Sequence, residues 1–96
     1  MNTKWEQVGT IGVDAGLCWV GDPCYVINRD PGTEHSDVLG KTWGDFCDKL
    51  GNEYPTVKEF DGLGLAVSSG YGDGLYPVFI KKNEEGRIVR LMVKFD

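Results

Sequence analysis

An α+β fold, mainly antiparallel β, is predicted by three features of the sequence. Apolar residues alternate with period two near both ends of the chain, one stretch near the middle has helical spacing, and glycines fall between these runs. The arrangement expected is a small single domain over residues 1–96, with a meander sheet or partly open barrel and one short helix at about residues 43–51. Length limits the domain count, because a chain of this size buries only about 60 to 65 per cent of its unfolded surface and has little left for a second core. Glycine occupies 14 of the 96 positions, roughly double its average usage of about 7 per cent. The glycines show no three-residue period and 41% of the chain is hydrophobic, which excludes collagen-like and disordered chains.

The first strand is expected over Glu6–Val13, where Val8, Thr10 and Gly12 fall on one side and Ile11 and Val13 on the other. Asp14-Ala15-Gly16 has turn chemistry and Leu17 to Val20 is again β-prone, so the chain is expected to open with a hairpin. Pro23 lacks the N–H that a ladder needs, so Gly21-Asp22-Pro23 ends the second strand and leaves Cys24 to Ile27 as a short strand or an edge segment. Asn28 to Gly40 is polar and aperiodic, as a surface loop is. Thr42 is an acceptable N-cap with Asp45 three residues on, and Trp43, Phe46, Cys47 and Leu50 form an i, i+3, i+4, i+7 stripe that should pack on a sheet. Leu63, Leu65 and Val67 then alternate with Gly64, Ala66 and Ser68, a small-residue face that something approaches closely. Leu75 to Ile80 and Ile88 to Phe95 are strands joined by a turn at Asn83-Glu84-Glu85-Gly86, with Val89, Leu91, Val93 and Phe95 on the core side.

The formal charge of −5 argues against a duplex nucleic-acid binder, whose affinity comes from cations neutralising phosphates. The negative excess lies before Leu63; the cations Lys81, Lys82, Arg87, Arg90 and Lys94 gather in the last hairpin, where they read as solvated strand and turn positions. No apolar run is long enough to span a membrane. Three cysteines without paired spacing, and no charged-then-apolar leader, give the expectation of free thiols in a cytoplasmic protein, with Cys18 and Cys47 buried.

Chemistry concentrates in three turns, each holding an aspartate in a tight bend: Val13-Asp14-Ala15-Gly16, Gly21-Asp22-Pro23-Cys24-Tyr25, and Ser69-Gly70-Tyr71-Gly72-Asp73-Gly74-Leu75-Tyr76-Pro77. One glycine at positive φ suffices for a hairpin, whereas Gly70, Gly72 and Gly74 together surround Tyr71 and Asp73. Such a surplus fits a backbone that a ligand or second chain must approach. It also fits plain turn chemistry, with Tyr-Pro ending or edging a strand. A phosphate loop or dinucleotide fingerprint is excluded by context, because these glycines lead into a strand rather than a helix. Asp14, Asp22 and Asp73 could hold calcium or magnesium if the fold converged them, though their spacing matches no calcium-loop pattern. Zinc on Cys18, Cys24, Cys47 and His35, or a Cys-His nucleophile pair, lacks paired spacing and a second histidine.

The VDAG, GDPCYV and GDGLYPV segments resemble small bacterial and phage domains of unknown function that combine a VD-small-G turn, a D-P-C-Y segment and a GDG-x-YPV hairpin. The resemblance covers residues 11–27 and 69–95 and implies a shared fold and a phage or bacterial source; it implies no reaction. The function expected is a non-catalytic binding domain for a small polar ligand or a host protein, without a cofactor. Its candidate contacts are Asp14, Asp22, Tyr25, Tyr71, Gly72, Asp73, Gly74 and Tyr76, with Trp19 nearby. A small divalent-metal hydrolase using the turn aspartates is the alternative, and a self-assembling module a further one.

Overall fold

The computed structural model describes residues 4–26, 38–51 and 56–96. Among these residues six strands form two three-stranded antiparallel sheets, neither closed into a barrel, with one short α-helix: the α+β, mainly antiparallel class expected. The strands are β1 (Glu6–Val13), β2 (Leu17–Gly21), β3 (Val57–Glu59), β4 (Gly64–Ser68), β5 (Gly74–Lys82) and β6 (Ile88–Val93), and the helix α1 is Trp43–Leu50. The chain divides into two compact units. One combines the described residues up to Gly16 with Ser69–Asp96, and the other lies within Leu17–Ser68.

The first unit holds the sheet β1-β5-β6. Here the sequence reading needs correction, because Asp14-Ala15-Gly16 does not close a hairpin: β1 pairs with β5, and β2 pairs with β4. Local turn chemistry was satisfied, but longer-range pairing decided the partner. The β5–β6 hairpin forms as expected. Its turn is tied by Asn83, whose Oδ1 accepts from the N–H groups of Glu85 and Arg87 at 3.0 Å each while Gly86 N donates to Asn83 O. Val13, Tyr76 and Ile80 are the buried apolar residues of this unit, and the Tyr76 ring meets Phe95 edge to face at 5.1 Å. Burying each such side chain contributes about 1.5–3 kcal/mol. The β6 face expected to be core is buried only in part: Val93 and Phe95 are half-buried, but Val89 and Leu91 are exposed.

Pro77 departs from expectation, standing inside the central strand rather than ending or edging it. Proline is tolerated there because, while Thr10 is its register partner in β1, its backbone N faces the β6 side, where its neighbour is Lys94 just beyond the end of β6 and the ladder is already ending. Lys94 N still donates to Pro77 O at 3.1 Å. The basic residues of this hairpin are mostly engaged. Lys81 lies 4.9 Å over the Trp5 ring, Lys82 is 3.9 Å from Glu6, and Arg87 is 3.0 Å from Glu85, all exposed or partly exposed contacts of small energetic weight.

The second unit holds the sheet β2-β4-β3 and α1. The sequence pattern does not mark β3, although Gly62 reads as a bend and Asp61-Gly62 is a hairpin signal. Asp61 has φ 54° and Gly62 φ 77°, and Leu63 N donates to Phe60 O at 2.9 Å across the turn. The small-residue face of β4 is occupied by the Trp19 ring. Ala66, directly opposite Trp19 in the ladder, is fully buried, and a Cβ added at Gly64 would stand 2.3 Å from the indole. The same ring meets Phe60 edge to face at 5.4 Å.

α1 starts as the sequence predicts, with Thr42 Oγ1 accepting from Asp45 N at 3.1 Å and Asp45 Oδ2 accepting from Lys41 N at 3.2 Å. Its stripe is less buried than its spacing implies. Phe46 stacks on Phe60 at 5.8 Å and Leu50 is half-buried, but Trp43 and Cys47 are exposed. Cys18 is half-buried, and burial pushes its thiol above the usual range. The segment after β2 is a turn of 3₁₀-helix over Pro23–Tyr25 rather than an edge strand. The polar loop from Asn28 lies largely outside the described residues, as does His35 and with it any Cys-His pairing.

Candidate functional site

The chain leaves the first unit after Gly16 and returns at Ser69, and these two residues are hydrogen-bonded to each other. Ser69 N donates to Gly16 O at 2.9 Å, and Gly16 N donates to Asp73 Oδ1 at 2.9 Å. The VDAG turn and the SGYGDG loop, far apart in sequence, are therefore fastened by the motif aspartate and one glycine peptide. Ser69, fully buried, donates from Oγ to Gly72 O at 2.5 Å, and Tyr76 OH donates to the same carbonyl at 2.7 Å. Two hydroxyls on one acceptor fix where the loop turns. Gly70 and Gly72 both have positive φ, 78° and 79°, so two of the three glycines serve the backbone path itself.

On the outside of this corner lies a concavity of about 510 Å³ lined by Gly12, Val13, Asp14, Asp73, Gly74 and Leu75. Its lining combines two glycines, the apolar Val13 and Leu75, and two acidic residues. Of the sequence-predicted contacts, Asp14, Asp73 and Gly74 meet here. Gly72 and Tyr76 stand behind them as supports, with the Tyr76 side chain buried and its hydroxyl engaged. Tyr71 is 74% exposed.

Asp22 and Tyr25 belong to the other unit. There Asp22 caps the 3₁₀ turn, its Oδ1 accepting from Cys24 N at 2.9 Å and its carbonyl from Tyr25 N at 3.1 Å. Proline at the first helical position suits that cap, so the Asp-Pro-Cys-Tyr segment has a local structural role. Trp19 likewise packs on Gly64 and Phe60. Among the described residues no group of three or more His, Cys, Asp or Glu side chains could hold a metal ion.

Sequence reasoning missed Ser69 and the Gly16 peptide. The signal for Ser69 was present: a serine closing a strand just before a glycine-rich bend commonly turns its hydroxyl back onto the loop. It also missed a second concavity of about 390 Å³ in the other unit, lined by Val20, Leu63 and Leu65 with Glu59 as its acidic member. Trp19 Nε1, in that unit, is buried without a hydrogen-bond partner among the described residues.

Among the described residues no helix is long and apolar enough to cross a membrane. Comparison with the curated proteins and with the solved structures returns no match. Residues 6–93 match the family described as "Protein of unknown function (DUF4241)", a span that takes in all six strands and the helix, and the chain belongs to that family.

Proposed function

We propose that this chain is a non-catalytic binding domain that recognises a small polar ligand at the concavity between the end of β1 and the start of β5. The observation that carries the reading is that Asp14 and Asp73 line one concavity with Gly12 and Gly74. Two carboxylates over glycine backbone favour a ligand that offers hydrogen-bond donors or a cationic group, such as an amine or a guanidinium. Asp73 divides its role, one carboxylate oxygen holding Gly16 N while the residue also lines the concavity. A lysine or arginine of a host protein would satisfy the same chemistry, and the resemblance to small phage and bacterial domains supports a phage-encoded origin.

A thermal-shift screen of amines, amino acids, polyols and nucleosides at millimolar concentration tests this reading. A ligand of the site raises the Tm of the wild-type chain and leaves that of Asp14→Asn unmoved. Turnover of any member of the panel would overturn the non-catalytic reading. A rise with magnesium, manganese or calcium alone would favour the metal-dependent hydrolase instead.

A further inference from the structure

We infer that β6 is a self-association edge, pairing antiparallel with β6 of a second copy about a two-fold axis at Val93. Among the described residues β6 is hydrogen-bonded to β5 alone, so one side of the strand carries unpaired ladder groups. Which groups these are follows from one bond. Lys94 N donates to Pro77 O, so Lys94 sits in a hydrogen-bonded pair, and strict alternation gives Met92 and Arg90 the same inward orientation. The N–H and C=O groups of Leu91 and Val93 therefore point outward, with Phe95 next in the same series.

A second copy can dock only in registers that set outward residues opposite outward residues, and charge separates these registers. Pairing about Arg90 sets two arginines face to face. Pairing about Met92 opposes Arg90 to Lys94. Pairing about Leu91 needs Val89 in regular geometry, but the ladder slips between Lys81 and Lys82 and leaves Val89 as the unpaired bulge residue. Pairing about Val93 avoids all three faults. It places Val93 against Val93, Leu91 against Phe95, Met92 against Lys94, and Arg90 against Asp96, so that two opposite-charge pairs flank an apolar centre. Leu91, 60% exposed in the single chain, is covered at that seam. A seam of one strand against one strand is of the small, transient class of interface, so the association is expected to be weak.

Sedimentation equilibrium of the 96-residue chain from about 10 μM to about 1 mM reads the association directly, and hydrogen exchange reads the edge. The expected result is a monomer–dimer equilibrium in which the Leu91 and Val93 amides gain protection with concentration while those of Arg90 and Met92 do not change. Arg90→Glu, at an exposed position, weakens the dimer about tenfold with an unchanged melting curve. Adding Asp96→Arg to it restores wild-type association. A chain that stays monomeric throughout, species larger than a dimer, concentration-independent exchange at Leu91, or a folded double variant that does not recover would each overturn the inference.

Discussion

In β4 glycine makes room, and in the loop before β5 it sets direction. A methyl group at Gly64 would stand 2.3 Å from the Trp19 ring, whereas at Gly70 and Gly72 a methyl would meet nothing within 4 Å and the demand is a positive φ. The sequence makes the second region look like the site, because its glycines are denser. The structure shows that density there follows in part from backbone geometry, and that the close approach argued for glycine is realised most strongly at Gly64, by a side chain of the protein itself.

Substitutions at the two sites separate room from direction. Gly64→Ala has the largest expected effect, a loss of about 3 kcal/mol in urea unfolding, because the added methyl must displace a ring held between Gly64 and Phe60. In a Trp19→Leu background the same change should cost much less, and additivity of the two losses would show that the ring is not what excludes the methyl. Gly72→Ala comes next at about 1–2 kcal/mol, a backbone cost with no packing component. Replacement of Trp19 leaves it unaltered. Should Gly72→Ala prove as harmful as Gly64→Ala, the distinction between room and direction would fail.

The same two regions show how far the sequence can be read. Strand positions follow from period-two alternation, and β1 is recovered with the bounds expected, its covered residues Ile11 and Val13 lying on the one side that the alternation assigns them. Strand partners did not follow, since Asp14-Ala15-Gly16 carries every local sign of a hairpin yet β1 joins β5. β3 was hidden because Val57-Lys58-Glu59 is short and exposed on all three residues. The helix is legible from Thr42 and its stripe, but spacing reports which residues share a face and not what covers it, so the exposure of Trp43 and Cys47 does not follow from it. At the candidate site, aspartate in a tight turn pointed to Asp14, Asp22 and Asp73 alike. Only the fold separates a cap at Asp22, a clasp at Asp73 and an exposed residue at Asp14.

The smallest expected effects make the sharpest division, between Asp73 as a fastening and Asp73 as a charge. Asp73→Ala removes the acceptor for Gly16 N and should cost about 1 kcal/mol, less than either glycine substitution because the bond is exposed. Asp73→Asn keeps a carbonyl oxygen at the same place, so it should fall within about 0.5 kcal/mol of wild type in the same urea titration, as should Asp14→Asn at its exposed position. Equal losses for Asp73→Ala and Asp73→Asn would show that the negative charge, and not the hydrogen bond, holds Gly16 in place. With the expected split, the asparagine variant has an intact corner and a less acidic concavity. Any change in ligand response it shows then reports on the charge at that surface, free of a contribution from the fold.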